Sequence, residues 1–414
     1  MSHHCWQELF SLVIVQLPGE TESSSAEVQL DKGYPGRRCA KGATGSRRTT
    51  VRRALFSKRS LDTGAIPPKN LEPGFRALPS DEPFVMRVFV TGGTGLLGNA
   101  ILRQLEQAGH HTLTIVRSKV DKGVFDGLAT ERINGDLFDA DGIERAVSVA
   151  DAVIHAAGII HLGWTRMDES MRVNRDGTRK IVEACLAHDR KMVHVGTVDA
   201  VAIGSRDQPS DETTPITRAT QQVPCSYVVS KRAGVDEVAK GVQRGLRAAI
   251  VHPGFMLGPW DWKPSSGRMI VEVSRVWRPF APRGGCCACD VRDVAAGTIA
   301  AIERGGDNGR AFILGGHNVT YFELWKQMAE RMGRRGPVIR TGPAALWVAG
   351  KAGDLWTRWS QVERDLNSAG VRMSSMFHFH SSNRAIAELG YTVRDLSITL
   401  DDAADWIRKH HMPK

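Results

Sequence analysis

Residues 90–98, VTGGTGLLG, decide the reading of this chain. They follow the apolar run RVFV at 87–90 and open the helical pattern NAILRQLEQAG, so the glycines fall in the turn between a strand and a helix. Gly92 permits the tight turn, Gly95 lets the backbone approach a phosphate with no Cβ in the way, and Gly98 lets the helix pack closely on the strand. The first helical turn, with Thr94, Leu96 and Leu97, aims its backbone N–H groups at such an anion. The spacing T-G-x-x-G-x-x-G is one residue wider than G-x-G-x-x-G. Placed between strand and helix, the segment reads as the cradle of a dinucleotide pyrophosphate.

Working outward, strand patterns at RVFVT, HTLTIV, RING, AVIHAA, KMVHVG and RAAIVHP alternate with helical ones, although the link after HTLTIV is short and poorly periodic. Such alternation is the signature of an α/β fold with a doubly wound parallel sheet, whose ligands sit beyond the carboxyl ends of the strands. The expected domains are a Rossmann domain over 86–256 and a smaller, mostly helical substrate region over 257–414. The latter is carried by helical patterns such as SGRMIVEVSRVW, YFELWKQMAERMG and LDDAADWIRKHH.

About 130 residues past the glycine turn stands PCSYVVSKRAGVDEV. Tyr227 and Lys231 are four apart in a helical pattern and share a face, so the ammonium sits near the phenol. A neighbouring cation favours the phenolate of a group whose free pKa is about 10, which suits general acid/base work. Alone, Y-x-x-x-K is a chance pattern. With VTGGTGLLG upstream and Thr197 closing an apolar strand between them, residues 86–410 resemble the extended short-chain dehydrogenase/reductase (NAD-dependent epimerase/dehydratase) family.

The resemblance extends through further segments in order. In GDLFD, Asp136 and Leu137 stand where the family contacts adenine; taken alone, that Asp reads as a helix cap for DADGIERAV. DAVIHAAG is a buried parallel strand whose Ala156, Ala157 and Gly158 leave room for ribose and nicotinamide. Asn174 in VNRDGT matches the Asn that organises the family's site, and Pro253 and Gly254 match its contacts to the nicotinamide face. By resemblance, Tyr227 exchanges a proton with the substrate oxygen, Lys231 holds the ribose and lowers the tyrosine pKa, and Thr197 bonds the same oxygen. Many relatives carry Ser-Ser where this chain has Gly196-Thr197; the hydroxyl is kept. Dehydratase relatives place Thr-Asp-Glu there, a pattern broken here by Val198, Asp199 and Ala200.

The second strand ends TIVRSKVDK. An acid at that point favours NAD, whereas Arg117 and Lys119 suit a 2′-phosphate, so NADP is preferred over NAD. Two narrower resemblances compete. The Arg117 turn is similar to dihydroflavonol reductases and 3β-hydroxysteroid dehydrogenases, while HPGFMLGPWDWKPSSGRMIV and FILGGHNVTYFELWKQMAERMGR are similar to hopanoid-associated sugar epimerases. A reductase exchanging hydride between the nicotinamide cofactor and a carbonyl or secondary alcohol ranks first, a nucleotide-sugar epimerase second, and a non-catalytic NAD(P)-binding regulator third. The regulators of the family commonly lack the Tyr/Lys pair.

Composition agrees with an enzyme acting on a small molecule. Hydrophobic residues make up 42% of 414, enough for a large core. Seven cysteines form no spaced disulfide framework and point to a reducing compartment, the cytoplasm. GGCCACD invites a metal reading, but no second Cys/His pair lies at zinc spacing and the segment reads as a short strand. The net charge is +10, and residues 1–80 hold 12 Lys/Arg against 7 Asp/Glu in a Ser-, Gly- and Pro-rich stretch. That stretch, 1–85, reads as a disordered basic extension: a transit segment, or a leader ahead of a functional start at Met86, which we favour. Its apolar run FSLVIVQL is too short to span a membrane, and no aromatic-basic module supports nucleic-acid binding. A homodimer is left open. Trp164, Trp260, Trp262, Trp277 and Phe280 read first as core filling and second as the lining of an apolar pocket. His161, just past HAAG, reads first as a solvated loop histidine.

Overall fold

The computed structural model describes residues 85–117, 120, 123–363 and 366–412. The expectations for the leading segment up to residue 84 and for Lys119 lie outside the described residues.

Six strands fall where the alternation puts them: β1 (Arg87–Thr91), β2 (His111–Val116), β3 (Glu131–Asn134), β4 (Ala152–His155), β5 (Lys191–Val195) and β6 (Ala248–Pro253). All pair in parallel. Their Val/Ile-rich sequences suit burial on both faces, and the period of two divides the side chains between two cores. Val88 and Val90 pack with Leu97, Ile101 and Leu105 of α1 (Leu96–Gln107). Phe89 points the other way, among Ile143 of α2 (Ala140–Val149), Ile181 and Val182 of α4 (Gly177–Ala187), and Val238 of α5 (Ser226–Gln243). A short α3 (Met167–Met171) and a π-helical turn, Arg172–Asp176, lead into α4. Each fully buried aliphatic side chain of this kind contributes about 1.5–3 kcal/mol.

With the edge strand β10 (Asn308–Leu314) included, the sheet order is β10-β6-β5-β4-β1-β2-β3. The chain runs outward from β1 to β3 and then returns to β4 on the far side of β1, which leaves a crevice at the carboxyl ends of β1 and β4. That crevice receives the glycine turn. The edge strand β10 pairs in parallel with β6, and α7 (Val291–Arg304) packs its Val294 and Ala301 into the α1 side of the core. Both come from downstream of residue 256, so the main sheet crosses the boundary expected at 256/257.

The remaining segments build a second, smaller unit of structure above the strand ends. β9 (Gly285–Asp290) is its centre, between β11 (His317–Thr320), β13 (Phe377–His378) and β7 (Phe255–Leu257), with β8 (Phe280–Ala281) pairing β12 (Ile339–Arg340) apart. GGCCACD thus forms a strand, with Cys286, Cys287 and Cys289 buried as free thiols. Helices α6 (Arg268–Arg275), α8 (Tyr321–Arg331) and α12 (Leu396–His411) cover it through Ile270, Leu324, Met328, Leu400 and Ile407. Helix α9 (Pro343–Ser360) lies against α10 (Ser368–Ser374), and α11 (Asn383–Leu389) supports the β10 edge. The aromatic residues do not converge on one pocket. Trp262 packs edge-on to Trp406, Trp260 lies under Arg103, and Trp277 bonds the Gly336 carbonyl. Among the described residues no helix is long and apolar enough to cross a membrane.

Candidate active site

The glycine turn is a tight backbone cradle. Gly92 has φ +78°, and a Cβ there would lie 2.8 Å from the Ala157 nitrogen; a Cβ on Gly98 would lie 2.2 Å from the Gly92 carbonyl. Neither position admits a side chain. Gly95 is exposed at the N-terminus of α1 and no side chain caps that turn, so the backbone beyond Thr94, at Leu96 and Leu97, keeps donors for an anion. Leu97 itself anchors the helix in the core. These features fit a dinucleotide pyrophosphate.

A hydrogen-bonded chain ties the cradle to the rest of the site. The Ala157 N–H donates to Thr91 Oγ1 (3.2 Å), which lies 2.7 Å from His155 Nδ1, while His155 Nε2 lies 3.0 Å from Thr178 Oγ1. Thr178 donates onward to the Asn174 carbonyl (2.7 Å). The imidazole is therefore neutral with its proton on Nε2, and burial pushes its pKa down to about 3. Asn174, in the π-helical turn, clamps Ile159 through both amide atoms and donates to Ser230 Oγ (2.9 Å). This holds the Ala156-Ala157-Gly158 strip against α5.

Lys231 is buried there and donates to the Val195 carbonyl at the end of β5 (2.7 Å). A Cβ on Gly158 would stand 3.6 Å from its Nζ, so glycine keeps the ammonium open to the crevice. Burial lowers its pKa to about 8. Tyr227, one turn earlier, is also buried, and Thr197 faces its phenol. The phenol does not behave as the spacing suggests: burial, reinforced by the carboxylate of Asp199, pushes its pKa up, and Thr197 only partly opposes this. Desolvation of the anion is the largest cause, and helical spacing to Lys231 does not by itself bring the phenol down.

Asp199 has a partner that no local sequence signal announces. Its Oδ1 lies 3.2 Å from Nδ1 of His378 on β13, and His378 Nε2 lies 3.0 Å from the Met373 carbonyl. Nε2 donates to that carbonyl, while the approach of Nδ1 to the carboxylate is an ion-pair contact, not an aligned hydrogen bond, and favours the imidazolium. Accordingly the carboxyl is held below its usual range and the histidine above its own, against the opposing effect of burial. Asp199 also lies 3.3 Å from the Thr197 hydroxyl. The alternation Phe377-His378-Phe379-His380 reads as a strand, but not as one ending beside Tyr227. Glu363 is a second such residue. It bonds His161 Nε2 (2.8 Å) and the backbone of Trp164 and Thr165, so His161 is a fixed part of the loop over α5 and not a solvated one.

The other sequence candidates sit around this centre. Arg117 is exposed at the end of β2. Asp136 accepts from the Phe138 N–H, and the cap of α2 is Asp139, so the helix-cap reading of Asp136 is corrected by three residues. Leu137 is buried against Gly177 and the α2–α4 core. Pro253 ends β6, and Gly254 follows it, packed so closely on β9 that a Cβ would lie 2.3 Å from the Cys287 carbonyl.

Residues 88–315 match the model of the NAD dependent epimerase/dehydratase family. The chain is 30% identical to a putative dihydroflavonol 4-reductase of Synechocystis over 78% of its length and 94% of the relative's. It is 28% identical to sterol demethylase protein B of Methylococcus capsulatus, over 79% of this chain and all of that one. Among solved structures, gox2253 superposes with a TM-score of 0.69 at 30% identity, covering 78% of this chain and 98% of that one.

Proposed function

The chain belongs to the NAD dependent epimerase/dehydratase family and is an NAD(P)-dependent oxidoreductase of the extended short-chain dehydrogenase/reductase type; from that premise we propose that it reduces the carbonyl of an apolar, lipid-like or polycyclic substrate, with NADP(H) preferred. The reductive direction is supported by a relative named as a reductase. The observation that carries the site is the placing of Tyr227: its buried phenol is faced by Thr197, keeps its proton at neutral pH and stands one turn from Lys231, where it can give that proton to a carbonyl oxygen.

In this reading a bound nicotinamide cofactor would supply hydride chemistry at the carbonyl carbon. Tyr227 donates its hydroxyl proton to the carbonyl oxygen, and the Thr197 hydroxyl holds that oxygen in place. Lys231 holds the ribose hydroxyls and stabilises the phenolate left behind. Gly92, Thr94, Gly95, Leu96 and Leu97 hold the pyrophosphate, Asp136 and Leu137 the adenine side, and Arg117 a 2′-phosphate. Ala156, Ala157, Gly158, Pro253 and Gly254 bound the nicotinamide, and Asn174 fixes the strip they belong to. The substrate class is supported by the name of the relative sterol demethylase protein B and by the large apolar side chains exposed around the loop over α5. A nucleotide-sugar epimerase remains the second reading, supported by the family's description.

The test is NADPH and NADH oxidation by the purified full chain against sterol ketones, flavanones, long-chain ketones and nucleotide sugars. Net NADPH oxidation with an apolar ketone is expected, and Tyr227→Phe lowers it roughly 10²- to 10⁴-fold with cofactor binding retained. Conversion of a nucleotide sugar with no net change in cofactor would replace this reading by the epimerase one.

A further inference from the structure

Helix α9 has its apolar residues on the wrong side for a core helix. Its inward face approaches its neighbours closely at two glycines: Gly350 packs on Ser368, and a Cβ on Gly353 would lie 1.8 Å from the Leu366 carbonyl. Val348, Leu355 and Trp359 recur at i, i+7 and i+11 on the opposite face, and Leu355 and Trp359 are 69% and 79% exposed. Trp347, on the flank, is 64% exposed. Soluble proteins bury such a stripe, and a contiguous exposed one marks a contact surface.

Charge says what the contact is. The charged residues of α9 are the exposed cations Lys351 and Arg358 and one carboxylate. That carboxylate, Asp354, is turned inward, accepting from the Ser368 N–H (2.9 Å). Lys351 and Arg358 lie beside the Val348-Leu355-Trp359 stripe, as in helices that rest at a membrane interface with aromatic and aliphatic residues down and cations at headgroup level. A second copy of the chain would bring the same cations against one another across a two-fold axis.

The surface also reaches the loop that packs on α5. A pocket of about 640 Å³ opens between α9 and α10, lined by Trp164, Trp347, Lys351, Asp354, Val371 and Arg372. The loop bearing Trp164 accepts the backbone N–H groups of Ser226 and Tyr227 at the carbonyls of Gly163 and His161 (2.9 and 3.2 Å). One wall of the pocket, Trp164, therefore belongs to the loop held on the first turn of α5.

We propose that the outer face of α9, with the pocket beside it, docks on the surface of an anionic lipid bilayer, from which the apolar substrate enters the site. Only the substrate's apolar class rests on the function proposed above; the docking surface stands on α9 itself. The full chain is mixed with phosphatidylcholine vesicles with and without 30% phosphatidylglycerol and sedimented, without substrate or cofactor. It is expected to bind the anionic vesicles at least tenfold more tightly than the neutral ones, and to be released by salt. The exposed double substitution Leu355→Asp with Trp359→Asp is expected to cut that binding at least tenfold with the melting temperature kept. Absence of vesicle binding by the intact chain, or equal binding by the variant, overturns the proposal. So does concentration-dependent self-association that the double substitution abolishes, since a second copy would then cover the face. Vesicle binding with no turnover of any ketone would uphold the docking surface and count against the proposed reductase alone.

Discussion

Tyr227, Lys231, Thr197 and the Asp199–His378 pair set the proton inventory of the site, and each has a separable consequence. Burial holds the Lys231 ammonium at a pKa of about 8, so its charge is lost as pH rises through that value. The kcat/KM for cofactor, which reports the free enzyme, is expected to fall above pH about 8; Lys231→Arg, which stays charged, should lose that limb even at a lower absolute rate. His378 titrates above its ordinary value and Asp199 below its own. Their pairing therefore stabilises the fold between the depressed carboxyl pKa and the raised histidine pKa, and is lost on either side. His378→Phe leaves a buried carboxylate without its cation and is expected to cost about 3–5 kcal/mol by denaturant unfolding at pH 7, with part recovered when Asp199→Asn is added. Equal stability of the single and double variants would mean the carboxylate finds other solvation.

At the scale of elements, the turn from β1 into α1 and the end of β2 divide cofactor recognition between backbone and side chain. In the proposed function the cradle is generic, because it would work through backbone donors and the absence of Cβ atoms at Gly92 and Gly98. Discrimination would then fall to Arg117, exposed at the end of β2. Arg117→Ala is expected to weaken NADP binding by about 1–3 kcal/mol, the usual worth of a charge-assisted hydrogen bond, and to leave NAD binding nearly unchanged. Isothermal titration of both cofactors checks this; parallel losses for the two would assign Arg117 a structural role.

Across the whole molecule, buried neutral histidines link the sheet to pH. His155, His252 and His380 have pKa values pushed down to about 3, 4 and 3 from an ordinary 6.5, chiefly by burial. Between those values and 6.5 the unfolded chain binds protons that the folded chain does not, so stability rises with pH across that window and drops on acidification. Melting followed from pH 7 to 4.5 is expected to show a steep fall beginning near pH 6.5, on the order of 1 kcal/mol or more for each histidine. A flat profile over that range would place water or compensating protons around the three rings.

The sequence by itself determined the Rossmann sheet and half of the site. VTGGTGLLG, the six strand patterns and the Tyr227/Lys231 spacing are local signals, since a turn, a period of two and a helical i, i+4 each involve residues a few positions apart. The seventh strand was less legible because β10 joins the sheet from beyond residue 256, where its neighbours read as helices. Tertiary structure alone decided the protonation of the centre. Asp199 meets His378, 179 positions further along the chain, and the phenol pKa rises through burial that no spacing encodes. It also decided the meaning of α9, a segment that no sequence pattern singled out: only packing shows that Gly350 and Gly353 face in while Trp347 and Trp359 face out. Desolvation and facing are properties of what surrounds a residue, and the surroundings here come from distant parts of the chain.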